Sequence, residues 1–127
     1  MNPQEFRQCL NEVRELMAQE RYKEAIVILE TLKSEDSVSE SDFNYNLIHE
    51  LYQLDSNCKS AFHQQLILER LLNISKNQKR ISFTELNDDI KKNLNLNISE
   101  EILRREVEIL ILRNLITCRI EETTIIF

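Results

Sequence analysis

Apolar residues at helical spacing dominate the first part of the chain. The first run follows Pro3, which suits the first turn of a helix, and comprises Phe6, Leu10, Val13 and Met17. A second run comprises Tyr22, Ala25, Ile26, Leu29 and Leu32. Steps of three and four residues place each run on one face of a helix, and the polar residues 19–21 separate the two. The pattern predicts an antiparallel helical hairpin over residues 4–33.

Two more helices are expected before residue 79. The segment 34–41 is rich in serine and acidic residues and indicates a linker. A third apolar stripe follows on Phe43, Leu47, Leu51 and Leu54, and residues 55–59 predict a turn. The fourth stripe, on Phe62, Leu66, Leu68, Leu71, Leu72 and Ile74, covers much of its helix and predicts the most buried of the four. Residues 76–80 form a polar joint.

The segment after this joint begins with a short strand and a helix. Ile81 lies between polar residues and can supply the strand. Ser82 and Glu85 have the spacing of a capping box, so a helix is expected to begin near Phe83. It should end within Asn93–Asn97, because asparagine tolerates the left-handed backbone conformation better than most residues.

A second helix and a hairpin complete this segment. Asn97 and Glu100 repeat the capping spacing, and Asn114 is a suitable C-cap. The apolar residues between them are Ile102, Leu103, Val107, Leu110 and Ile111, with Leu115 just beyond. The pattern then changes to period two, with Ile116, Cys118 and Ile120 on one side and Thr117 and Arg119 on the other. Residues 121–124 form a turn into a last strand, 125–127.

These elements predict a mainly α fold. A bundle of about four helices over residues 1–78 precedes a C-terminal winged helix over residues 79–127, which carries a small antiparallel sheet. Because the connections are short, we expect the two parts to pack together as one unit.

Composition argues against several functional classes. The chain contains no glycine, whereas phosphate-binding loops, dinucleotide fingerprints and nucleophile elbows require it, so we expect no enzyme, cofactor or small-molecule substrate. The two histidines, His49 and His63, are better explained as solvated or hydrogen-bonded residues than as a base or ligand. Three widely spaced cysteines favour neither a disulfide framework nor a zinc site, and no metal is expected. Apolar runs are too short to span a membrane and no signal sequence is evident, which favours a soluble protein of the cytoplasm or nucleus.

Nucleic-acid binding is the main alternative, because winged helices commonly place their second helix in the major groove. That helix carries Arg104, Arg105 and Arg113, which could contact phosphates. Residues 81–127, however, contain six basic and nine acidic side chains, and affinity for DNA depends largely on neutralising phosphates. Pairing of these arginines with glutamates at helical spacing is the simpler explanation.

The same segment resembles a known family. The runs 80–86 (RISFTEL), 99–101 (SEE), 108–116 (EILILRNLI) and 118–122 (CRIEE) are similar to the C-terminal winged helix of PCI domains. The amphipathic helix over residues 62–75 also resembles the helix that leads into a PCI winged helix. PCI domains occur in subunits of the proteasome lid, the signalosome and translation initiation factor three. The resemblance implies a non-catalytic scaffold subunit whose partners are other PCI-type subunits, with the lid as the first candidate; the alternative is a winged-helix DNA-binding regulator.

The resemblance also implies where the partners bind. PCI winged helices pack side by side, and a small sheet with an unpaired edge offers backbone groups that a partner strand can complete. We predict the exposed edge, and hence the interaction residues, to be Thr117, Arg119, Glu121, Thr123 and Ile125. Typical members have a longer helical-repeat region and, in the lid, a further C-terminal helix for bundling, so bundle formation is not inferred.

Overall fold

The computed structural model describes residues 2–38 and 45–127. In chain order its elements are α1 (Pro3–Ala18), α2 (Tyr22–Val38), α3 (Tyr45–Ser75), β1 (Arg80–Ser82), α4 (Phe83–Leu94), α5 (Glu100–Leu112), β2 (Arg119–Glu121) and β3 (Thr124–Ile126). The strands form one antiparallel sheet of order β1-β3-β2. The predicted fold class, mainly helical with a small C-terminal antiparallel sheet, is confirmed.

Two compact units divide the chain, residues Met1–Phe62 and His63–Phe127. The boundary falls inside α3, not at residue 78 as expected. The physical reason is that the last turns of α3 contribute Ile67, Leu71 and Ile74 to the same hydrophobic core as α4, α5 and the sheet. The second unit is therefore a helix, a strand, two helices and a two-stranded hairpin, which is the element order of a winged helix.

The first unit contains the predicted helical hairpin. Its core consists of Phe6, Leu10, Val13, Leu16, Ala25, Leu29, Leu32, Leu47, Leu51 and Cys58. In the last turn of α1 the buried residue is Leu16, whereas the predicted Met17 is only half-buried. The first helix starts with a complete capping box, in which the Glu5 amide donates to Asn2 Oδ1 at 2.8 Å.

Two predictions about the connections were wrong. Residues 34–38 belong to α2 rather than to a linker, and the rest of that predicted linker, with Phe43, lies outside the described residues. Residues 55–59, expected to form a turn, lie inside α3, so the third and fourth predicted helices are one helix of 31 residues. Tertiary contacts override the weak helix propensity here, because Cys58 is fully buried and Asp55 binds Lys33 of α2 at 3.1 Å.

The helix ends of the second unit combine correct and incorrect predictions. Ser82 caps α4, as expected, and Asn95 ends it in the left-handed conformation, with φ 53°. The cap of α5 is Ser99 rather than Asn97, and its hydroxyl accepts from the Ile102 amide at 3.2 Å. The C-cap is Arg113, and Asn114 follows it with φ 59°. The Asn114 and Leu115 amides donate to the carbonyls of Ile111 and Leu110, the bond pair of a Schellman motif.

Candidate protein-binding edge of the winged helix

Strand β2 forms one edge of the sheet, because only β3 pairs with it among the described residues. In register, Arg119 lies opposite Ile126, Ile120 opposite Ile125, and Glu121 opposite Thr124. The loop between β2 and β3 is therefore only two residues long. Its first residue, Glu122, has φ 55°, a conformation that short hairpin loops usually assign to glycine or asparagine.

The backbone of β2 directs the polar groups of Ile120 outward. On the other side of β3, the bonds from Phe83 N–H to the Thr123 carbonyl and from Phe127 N–H to the Lys79 carbonyl show that odd-numbered residues of this segment face β1. Since backbone groups alternate along a strand, Thr124 and Ile126 face β2 and bond Glu121 and Arg119. The N–H and C=O of Ile120 then point away from β3. They are available to a further strand.

Side chains alternate along this edge as predicted. Thr117, Arg119, Glu121 and Thr123 are exposed, and Arg119 Nε lies 3.1 Å from Glu121 Oε1 on the same face. On the opposite face Ile116 is buried, while Cys118 and Ile120 are half-buried against the core. Burial raises the pKa of the Cys118 thiol, which is free and keeps its proton at neutral pH.

Ile125 does not belong to the exposed edge, contrary to the prediction. It is fully buried, because β3 is the central strand and pairs with both neighbours. Its side chain packs into the core with Leu103, Leu110 and Ile81 among others. The sequence pattern could not decide this point, since the order of three short strands depends on pairing and not on their spacing.

Arg104 on α5 holds the hairpin turn in place. Its guanidinium donates to the Glu122 carbonyl at 2.7 Å and to Glu108 at 3.1 Å, and it lies 5.5 Å from the centre of the Phe83 ring. The sequence pattern indicated this arginine only as a phosphate ligand or as one half of an intrahelical pair. The Glu108 contact has the spacing of that pair, but the Glu122 contact joins residues 18 positions apart and left no sequence signal.

The other two arginines of α5 differ in their surroundings. Arg113 donates to Gln64 Oε1 of α3 at 3.1 Å, whereas Arg105 is exposed. Glu100, Glu101 and Glu108 are exposed on the same helix, so the surface of α5 is not uniformly basic. This surface is a poor match for the phosphate backbone of a duplex.

Within residues 2–38 and 45–127, no group of three or more histidine, cysteine, aspartate or glutamate side chains could hold a metal ion. No helix in this part of the chain is long and apolar enough to cross a membrane.

Comparisons with protein-family models, with curated proteins and with solved structures find no match to this chain.

Proposed function

We propose that this chain is a non-catalytic scaffold subunit that joins other protein subunits through the β2 edge of its winged helix. The resemblance to PCI domains supports partners of that type, with the proteasome regulatory-particle lid first and the signalosome and translation initiation factor three next. Such assemblies place the protein in the cytoplasm or the nucleus.

One observation carries the proposal: β2 is an edge strand whose outward backbone groups at Ile120 have no pairing strand within the described sheet. Unpaired edges are either protected or completed by a partner. Here Thr117, Arg119 and Glu121 are exposed around the edge, and no proline interrupts it. A partner strand can therefore add to the sheet by main-chain hydrogen bonds.

The contacts of α5 favour a protein partner over DNA. Arg104 already binds Glu108 and the Glu122 carbonyl, and Arg113 binds Gln64. To contact phosphates these side chains would have to give up those bonds. Breaking those bonds would reduce the favourable free energy of DNA binding. Residues 81–127 also carry more acidic than basic groups, which disfavours contact with phosphates.

The first experiment identifies the partners. The tagged chain is purified from its native source, and co-purifying subunits are identified by mass spectrometry. Under the proposal, PCI-type subunits co-purify in stoichiometric amounts.

The second experiment removes a single backbone donor at the edge. Cys118 permits ligation of residues 1–117 to a synthetic peptide of residues 118–127 that carries an N-methyl group on Ile120. This change deletes the outward N–H, keeps every side chain and leaves the β2–β3 bonds intact. We expect affinity for the purified partner to fall at least about tenfold, because the methyl group also blocks close approach of a strand.

The control is the same ligated chain without the methyl group, compared by thermal midpoint and by partner affinity. Equal midpoints with unequal affinities support the edge as the contact. Equal affinities would show that partners bind elsewhere, and the α1–α2 hairpin would become the next surface to test. Proline at Ile125 would not serve, since its N–H faces β1 within the sheet.

A further inference from the structure

Two side chains of opposite charge lie on β2, one residue before and one residue after Ile120. Arg119 and Glu121 flank it on the exposed face, with 70% and 57% of their side chains accessible. The half-buried Ile120 itself lies on the opposite face, against the core. A positive charge, an apolar residue and a negative charge therefore follow each other along the edge.

We propose that the strand which this edge fits best is β2 of a second copy of the chain, paired antiparallel with Ile120 on a two-fold axis. This inference rests on the proposed function only in so far as both use the β2 edge. The sheets of the two copies would join into one, in the order β1-β3-β2-β2-β3-β1. Such an isologous contact closes after two copies.

Backbone geometry permits this register. The outward N–H and C=O groups belong to Ile120, and two Ile120 residues opposite each other exchange both bonds as a hydrogen-bonded antiparallel pair. On the core-facing side, the two Ile120 side chains meet across the axis. On the exposed side, Arg119 of each copy lies directly opposite Glu121 of the other.

The charges select this register over its neighbours. A slip of one residue would mismatch the outward backbone groups and turn every side chain to the other face of the sheet. The alternative registers therefore differ by steps of two residues. A slip in one direction sets Arg119 opposite Arg119, and a slip in the other sets Glu121 opposite Glu121. Directly opposed like charges destabilise a strand pair, whereas opposite charges stabilise it, so the Ile120-centred register is preferred on both counts.

Charge reversal provides the test. The variants Arg119→Glu and Glu121→Arg each place like charges in both symmetry-related pairs of the dimer. We expect sedimentation equilibrium to show reversible dimerisation of the wild type, and each single variant to dissociate about tenfold more readily or worse. The double variant Arg119→Glu/Glu121→Arg restores both opposite pairs and should dimerise like the wild type.

Mixing supplies the more specific test. One single variant carries two negative charges around Ile120 and the other carries two positive charges, so every pair in the mixed dimer is opposite. The two variants should associate with each other although neither associates with itself. The matched controls are Arg105→Glu and Glu101→Arg, which reverse exposed charges on α5 and should leave dimerisation unchanged. Equal thermal midpoints establish that the variants fold.

Each possible result either supports or overturns the β2–β2 dimer. A wild type that stays monomeric into the millimolar range, single variants that still dimerise, or a mixture that fails to associate would each overturn the inference. If self-association is absent but N-methylation of Ile120 weakens binding to PCI-type subunits, only this inference fails. If dimerisation follows the charge pattern while N-methylation leaves binding to those subunits unchanged, the proposed function fails and the dimer stands.

Discussion

At the scale of single residues, the chain contains no glycine, so other residues occupy the backbone positions with positive φ. Within residues 2–38 and 45–127, four residues adopt positive φ: Glu20, Asn95, Asn114 and Glu122. Asparagine tolerates this conformation because its side chain can form local hydrogen bonds. Glutamate is destabilised in it, because its Cβ lies too close to the following carbonyl oxygen. Glu20 nevertheless holds it, because its amide donates to the Met17 carbonyl and that of Arg21 to the Leu16 carbonyl, which ends α1.

Glu20→Gly is therefore expected to stabilise the protein. Relief at φ 60° should outweigh the greater freedom of glycine in the unfolded chain and add about 0.5–1 kcal/mol to the free energy of unfolding, measured in urea. Asn114→Gly should change it by less. Glu12→Gly, at an exposed position inside α1, is the control and should cost about 1 kcal/mol. A loss of stability in Glu20→Gly would contradict the assigned backbone conformation.

A second residue-scale prediction concerns Asp89 of α4. Its carboxylate accepts two bonds from Arg70 of α3, at 2.5 and 2.8 Å, and this contact holds the pKa of Asp89 below its ordinary value of 3.8. The pair is mostly screened from solvent. Asp89→Asn should therefore lower the free energy of unfolding by about 1.5–3 kcal/mol at pH 7.

The pH dependence has a definite sign. A carboxyl whose pKa is lowered by folding stabilises the protein above its unfolded-state pKa and ceases to do so as the pH falls through its folded-state value. The difference between wild type and Asp89→Asn should thus shrink as the pH falls below 3.8. Asp88→Asn, at an exposed position, is the control. A difference that stays constant down to pH 2 would argue against the ion pair.

At the scale of elements, a network of ion pairs joins α2 to α3 in the first unit. Lys33 binds both Glu30 and Asp55 at 3.1 Å, and Lys59 binds the same two carboxylates at 3.2 and 3.4 Å. The bond to Asp55 raises the pKa of Lys33, and the bond from Lys33 lowers that of Glu30. These contacts require residues 55–59 to be helical, although Asp, Ser and Asn are weak helix formers.

This conflict between local preference and tertiary contact can be measured. Asn57 is exposed within α3, so Asn57→Ala should raise the free energy of unfolding by about 0.5 kcal/mol, since alanine is the better helix former. Asn57→Gly should lower it. If residues 55–59 formed a turn, alanine would bring no gain and glycine would be tolerated.

At the scale of the whole molecule, the formal net charge is −6. Such a charge favours solubility and disfavours contact with polyanions. Within the winged helix, the arginines that would read DNA are partly committed to Glu108, the Glu122 carbonyl and Gln64.

We therefore expect no binding of duplex DNA, even at low salt. Fluorescence anisotropy with a labelled duplex provides the measurement. Binding in the micromolar range that weakens steeply with salt, and that is lost when Arg104, Arg105 and Arg113 are reversed to glutamate, would favour the DNA-binding regulator instead. Arg119→Glu is the control for a general loss of positive charge.

Local signals in the sequence determined much of the winged helix. Ser82 with Glu85, the asparagines after α4 and the change from helical to alternating periodicity each act through neighbouring residues, so they predicted α4, its end and the strand alternation. Where two caps competed, the local signal was insufficient, and Ser99 rather than Asn97 starts α5.

Only the tertiary structure decided which strand is central and that α3 continues through residues 55–59. Ile125 is buried because β3 pairs on both sides, and residues 55–59 are helical because Lys33 and the core around Cys58 hold them so. The hydrogen bond from Arg104 to the Glu122 carbonyl likewise forms only because the fold brings α5 next to the hairpin turn. These contacts join residues far apart in the chain, and their energies exceed local propensities of a few tenths of a kcal/mol, which is why spacing alone could not reveal them.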